Sequence, residues 1–198
     1  MLITIANMLG ASVMSLQTGQ PLAKISSAII DPRNLKIVAF YVNGPMVDFS
    51  PAVVFSEDIR EFGELGAIVD SSDNILSPEG MVRLGEVISY SFNINNLWVV
   101  DENKNKLGRV ENYTLNPENF LIQQLYLKPT LMKSFSVANL TISRNQIIEI
   151  NNQKIIVKSP KVREKTAQKV ANLPISENFE NPFRKPKPVA ESSENRES

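Results

Sequence analysis

The segment IIDPRNLKIVAFYV, Ile29–Val42, and the segment TLNPENFLIQQLYL, Thr114–Leu127, place nearly the same four-residue turn between two apolar runs. Asp31 or Asn116 opens the turn, where a short polar side chain accepts hydrogen bonds from the backbone that follows. Pro32 or Pro117 presets φ at the next position, and Asn34 or Asn119 tolerates the tight exit. The flanking runs, Leu22–Ile30 and Lys36–Val42 in the first case, are rich in β-branched and aromatic residues and have strand length. Each stretch therefore reads strand, type I turn, strand. The third turn residue is Arg33 in one and Glu118 in the other, so the reading points it to solvent and assigns the turn to geometry rather than charge.

The likeness extends well beyond the turn. Leu22 and Leu107, Pro32 and Pro117, Asn34 and Asn119, and Tyr41 and Tyr126 each stand 85 positions apart. Between those anchors Lys24 answers to Arg109, Ile25 to Val110, Ile30 to Leu115 and Ile37 to Ile122. One constant spacing over so many residue classes identifies a tandem duplication. Further short strands are predicted at Met46–Ser50 and Val53–Phe55 in the first copy, and at Ser134–Ala138 and Leu140–Ser143 in the second. Each copy closes with two more runs, Ile59–Phe62 with Ala67–Val69, and Ile147–Ile150 with Lys154–Val157. Short strands punctuated by Gly, Pro and Asn predict a mostly β chain of two small barrels. Copies of this size have marginal cores alone, so they are expected to pack on each other.

Between the copies, SPEGMVRLGEVISYSF has Ser77 as an N-cap, Pro78 at the first helical position, and Met81, Leu84 and Ile88 on one face. A single helix, Pro78–Tyr90, is predicted as the joint. The boundaries are then 1–76 for the first barrel, 77–92 for the linker, 93–158 for the second barrel and 159–198 for a tail. That tail is dominated by Lys, Glu, Asn, Ser and Pro, a composition that predicts disorder.

The chain has 198 residues, with 21 Lys and Arg against 21 Asp and Glu. It lacks the overall basic excess that draws a protein to a phosphate backbone. It contains no cysteine and no histidine. Thiol chemistry, disulfides and thiolate metal sites are therefore excluded, and so are the commonest general base and transition-metal ligand. No apolar run approaches the roughly 18–20 residues needed to cross a bilayer. The expectation is a cytoplasmic protein that is not an enzyme, with no cofactor, no metal and no membrane insertion.

Candidate sites are few. Glu57 and Asp58 beside Arg60 and Glu61 read as a solvated edge, and Asp70, Asp73 and Asn74 as a hairpin turn without the spacing of a calcium loop. FGELG, with Gly63 and Gly66, has no following helix and is no phosphate loop. DENKNK, Asp101–Lys106, is a hairpin tip, and Lys104, Lys106 and Arg109 form a basic rim there with Tyr113 nearby. Trp98, the only tryptophan, is assigned to the core, as are Phe40, Tyr41, Tyr126 and Leu127. In the tail, Phe179 and Phe183 with Arg184 and Lys185 have no folding reason to be there and fit a short linear motif.

The patterns VMSLQTGQPLAKISSAIIDPRNLKIVAFYV and LWVVDENKNKLGRVENYTLNPENFLIQQLYL resemble the PRC-barrel. That domain is found in the photosynthetic reaction-centre H subunit and in the C-terminal half of the ribosome maturation factor RimM. The resemblance covers Leu9 to about Lys158 as two barrels and is similar to the arrangement of bacterial proteins with tandem PRC-barrels. Ala23 stands where Gly108 stands in LGRV; both are small. The resemblance implies a non-enzymatic adaptor that binds protein partners, in ribosome assembly, RNA processing or cell division. The reaction-centre and RimM roles do not transfer by fold alone; the alternative, which rests on the basic rim of the second barrel, is an RNA- or ribosome-associated maturation factor.

Overall fold

The computed structural model describes residues 1–129 and 140–159. The chain begins with β1 (Ile3–Thr4), one turn of helix α1 (Ile5–Met8) and β2 (Ser12–Ser15). Next come the long β3 (Pro21–Asp31) and β4 (Lys36–Asn43), then β5 (Ala52–Phe55), β6 (Glu61–Gly63), β7 (Gly66–Val69) and β8 (Ile75–Leu76). Helix α2 (Val82–Ser89) leads to β9 (Trp98–Asp101), β10 (Lys106–Leu115) and β11 (Ile122–Pro129). The described part ends with β12 (Leu140–Ser143), β13 (Ile147–Ile150) and β14 (Lys154–Val157). The mostly β expectation is met.

The strands form two seven-stranded sheets with one neighbour order. In the first it runs β6-β7-β2-β3-β4-β5, with β8 on β5. In the second it runs β13-β14-β9-β10-β11-β12, with β1 on β10. In both, the first and last strands of this order pair antiparallel to their neighbours, and the central link, β7 to β2 or β14 to β9, is parallel. Among the described residues the pairing closes neither sheet into a ring: β6 and β8 end one, β12 and β13 the other. Both sheets belong to one compact unit, Met1–Pro160.

The two repeated turns hold the sheets together. Asp31 Oδ1 accepts from Arg33 N at 2.9 Å and Asn116 Oδ1 from Glu118 N at 2.9 Å. Asn34 Oδ1 accepts from Lys36 N and Asn119 Oδ1 from Leu121 N, each at 3.0 Å. The left-handed residue is not the asparagine, as a tight exit there would have it, but the apolar residue after it: Leu35 at φ 47° and Phe120 at φ 56°. This backbone costs a side-chain-bearing residue on the order of 1–2 kcal/mol. Burying the side chain returns roughly 1.5–3 kcal/mol, and Leu35 and Phe120 are 3% and 4% exposed. Burial wins.

The kink aims each turn's exit at the other sheet. Ile37 N donates to Phe120 O at 3.0 Å, and Ile122 N donates to Leu35 O at 2.9 Å. These are the same bond made in both directions. Phe40 packs edge-on against Phe120, with ring centroids 5.9 Å apart at 70°. One core cluster then runs through both sheets, from Val13, Ile25 and Val54 to Val110, Leu125 and Ile142. Arg144, at the turn into β13, caps the junction by donating to the carbonyls of Asn34, Leu35 and Ile122.

Four sequence expectations need correction. Met46–Ser50 is not a strand but irregular chain. Helix α2 starts at Val82, not Pro78, because Gly80 takes a positive φ of 77° and Met81 becomes the N-cap. Of the predicted face, Leu84 is buried and Met81 and Ile88 are partly buried; Val87, not predicted, joins Leu84 against Ile29, Ala39 and Val53 on the outside of the first sheet. Arg33 is not simply directed to solvent. It pairs with Asp31 at 2.9 Å and Glu86 of α2 at 3.1 Å, and its guanidinium lies 5.5 Å from the Tyr90 ring centre. Burial alone would raise the Asp31 carboxyl, but the hydrogen bonds from Arg33 hold it below the usual carboxylate range. Finally, the apolar N-terminal stretch MLITIANMLGASVMSLQTG, which reads in sequence as one ordinary strand, is a two-residue strand and a helical turn before β2. Ser134–Ala138 and the predicted tail lie outside the described residues.

A core shared across both sheets must melt as one. Phe40→Ala removes a ring from the first sheet, and loss of about 3–5 kcal/mol is expected. The unfolding of the second sheet, followed by Trp98 fluorescence, should shift to lower denaturant by the same amount as the circular dichroism signal. Two separate transitions would contradict this.

Candidate functional site

The inner and outer faces of the second sheet separate by strand alternation. Val110–Leu127, Tyr113–Leu125 and Leu115–Ile122 are opposed pairs on β10 and β11, and all six residues are core. The alternate pairs, Arg109–Lys128, Asn112–Tyr126 and Thr114–Gln124, therefore share the outer face. The ladder carries the first of them further. Arg109 opposes Trp98 on β9, and Trp98 opposes Lys154 on β14. Lys154, Trp98, Arg109 and Lys128 thus form one continuous row across four neighbouring strands.

Trp98 is half-buried on this face, not in the core as its apolar strand indicated. The Arg109 guanidinium lies 4.3 Å from its ring centre and the Lys106 ammonium 4.8 Å. The ring's negative faces attract both cations, at roughly 0.5–1 kcal/mol each when exposed. Arg109 also donates to Asn96 O at 3.4 Å. Among the described residues the ion pairs are Arg33 with Asp31 and Glu86, and Arg60 with Asp70. Lys106, Arg109, Lys128 and Lys154 make none of them.

Backbone geometry explains the close approach that builds the row. A Cβ on Gly108 would stand 2.5 Å from Lys128 O, so only glycine lets β10 lie this close to β11. In the first sheet the corresponding pair is Ala23 with Gly44, where a Cβ on Gly44 would meet the Ala23 Cα at 2.9 Å. The small residue is kept but has changed strands. Lys104, at φ 66°, takes the position that Gly19 holds at the same φ in the first sheet. It sits at the hairpin tip outside the row. Asp101 ties that tip down, accepting from Asn103 N, Asn105 N and Asn105 Nδ2, and these bonds lower its carboxyl.

The predicted rim is thus partly assembled. Lys106 and Arg109 meet at Trp98, Lys104 stands apart, and Tyr113 faces the core. Phe40 and Leu127 are core as expected, while Tyr41 and Tyr126 are half-buried on outer faces. Phe179, Phe183, Arg184 and Lys185 lie outside the described residues. Sequence reading missed Lys128 and Lys154 altogether. They are 26 residues apart and become neighbours of the row only through the ladder.

The same face of the first sheet is different. Its row reads Ser12, Lys24 and Asn43, with Gly66 against Ser12. Farther along, Ile29, Ala39, Val53 and Phe55 are apolar and covered by α2. Their counterparts on the second sheet, Thr114, Gln124, Thr141 and Ser143, are polar. The Thr114 hydroxyl is buried without a hydrogen-bond partner among the described residues.

The other candidates resolve into structural roles. Asp70 pairs with Arg60 at 2.7 Å, and Ser71 and Asn74 cap a 3-10 turn through Ser72–Asn74. Burial and the neighbouring Glu57 charge raise the Asp58 carboxyl, though Asn74 bonds it. Gly66 takes φ 105° in the β6–β7 hairpin, where a Cβ would collide with Ser12 O. Among the described residues no three acidic side chains gather as a metal site, and no helix is long and apolar enough to cross a membrane. In comparison with known proteins, the chain matches no family model and no curated protein.

The cation row makes the surroundings of Trp98 attractive to anions. With each ion's quenching normalised to that of free N-acetyltryptophanamide, iodide is expected to quench Trp98 relatively more than caesium does, and Arg109→Gln with Lys106→Gln should remove the difference. Equal normalised quenching by both ions in the unaltered protein would show that the row does not set the local potential.

Proposed function

We propose that the chain is a non-enzymatic interaction module, an adaptor built from two PRC-type units of one duplicated ancestor. In this reading the first unit stabilises and the second binds. The duplication is supported by shared strand order, by matched turn bonds and by three pairs of equivalent positive-φ positions: Gly10 and Asn96, Gly19 and Lys104, Leu35 and Phe120.

The observation that carries the binding role is the row Lys154–Trp98–Arg109–Lys128. Four cations, counting Lys106, stand on a sheet face without carboxylate partners among the described residues, whereas the matching row of the first sheet, Ser12, Lys24 and Asn43, carries one cation and the region beside it is covered by α2. Exposed cations without a carboxylate partner contribute little to stability beyond their contacts with Trp98, which supports a role for the row in binding. The partner is anionic where it meets this face. Phe179 and Phe183 fit the same reading as a second, separate contact made by the tail.

Arg109→Glu with Lys128→Glu reverses the row's charge at two exposed positions and should leave the melting temperature nearly unchanged. Capture from extracts of the native host, with protein and RNA both identified, should lose its specific components by about tenfold or more in this variant. Recovery of the same components at the same yield by both forms would refute the assignment of the face.

A further inference from the structure

We infer that the outer face of the second sheet binds single-stranded RNA, the phosphates lying along the cation row and a base stacking at Trp98. This rests on the reading of that face as the binding surface and names its ligand. Neighbouring strands are about 4.8 Å apart, so the row from Lys154 to Lys128 is a charged strip of about 14 Å running across the strands. A strip of that kind tracks a flexible phosphate backbone. An acidic peptide would satisfy the charges equally well but has no use for what stands among them.

What stands among them is an indole with a guanidinium 4.3 Å from its ring centre. Aromatic rings and guanidinium planes are the surfaces on which unpaired bases stack, and every base has a face to offer. A second aromatic, Tyr126, lies on the same face beyond Arg109 and Lys128, its hydroxyl held by Gln124 Oε1 at 3.0 Å. Asn112 stands opposite Tyr126 on the ladder; its Oδ1 accepts from Tyr113 N at 2.8 Å, and its Nδ2 can donate to a base edge. Duplex RNA keeps its bases stacked and offers this surface only phosphates. Cations, aromatic surface and amides on one open sheet therefore select a single strand over both a duplex and an acidic protein.

The single tryptophan is a built-in reporter. The full chain is titrated at low salt with an unstructured RNA of about 12 nucleotides, within the range of known single-strand sites. A duplex of the same length and poly-glutamate are titrated in parallel. Trp98 emission should be quenched by the single strand, and Trp98→Leu should weaken binding by about tenfold or more. If all four cations meet phosphates, log Kd should change with log salt by about 3, and by ~0.7 less in Arg109→Gln, an exposed change that leaves the core intact. Lys24→Ala, at the matching place on the first sheet, should have no effect. Poly-glutamate binding as tightly as the single strand, with Trp98 emission unmoved by RNA, would overturn the RNA assignment while leaving the anionic face in place. Failure of RNA and poly-glutamate alike, with host partners still captured by the charge-reversed protein, would overturn both.

Discussion

Leu35 and Phe120 sit in left-handed backbone directly after the two polar turns, and each offers its carbonyl to the amide that follows its counterpart. Everything else in the arrangement of the two sheets depends on that exchange. A backbone amide buried between sheets must find an acceptor, and an unmade bond there costs the full desolvation of the group. Here each amide's acceptor is a carbonyl of the opposite sheet's turn. The turn's asparagine fixes the approach, the proline fixes the entry, and the apolar residue accepts the strain because its side chain enters a core belonging to both halves.

This exchange also separates what the two sheets have in common from what they do not. The inner faces must satisfy a shared core and remain apolar in both. The outer faces carry no such obligation. On the first sheet, α2 covers the β3–β5 surface, and Arg33 fastens the helix to the turn by pairing with Glu86 and stacking near Tyr90. On the second sheet the equivalent positions are threonine, glutamine and serine, and the row beside them is cationic. The two sheets share a strand order and differ in their outer faces.

Much of the fold was legible in the sequence. The repeated DPRN and NPEN turns located the long hairpins, and the runs Leu140–Ser143, Ile147–Ile150 and Lys154–Val157 are strands within the predicted limits. The positive φ of Leu35 and Phe120 was not legible, because nothing local favours a left-handed leucine or phenylalanine; the other copy imposes it. The strand prediction for Met46–Ser50 failed for the related reason that β propensity without a ladder partner makes no strand. The candidate site was half legible. Lys106 and Arg109 are close in sequence, but Lys128 and Lys154 join them only through the register. The signal that was present is the constant spacing of 85, which sets Lys128 against Asn43; Trp98 against Ser12 and Lys154 against Gly66 emerge only from the ladder.

The account stands most directly on the two reciprocal amides, and amide hydrogen exchange measures them one at a time. Ile37 and Ile122 should exchange in the slowest class, with matching protection, opening only when the whole domain unfolds, as core amides of both sheets do. Exchange of either amide through local opening, orders of magnitude faster than Val54 or Leu125, would contradict the claim that the twin turns join the two sheets into one unit.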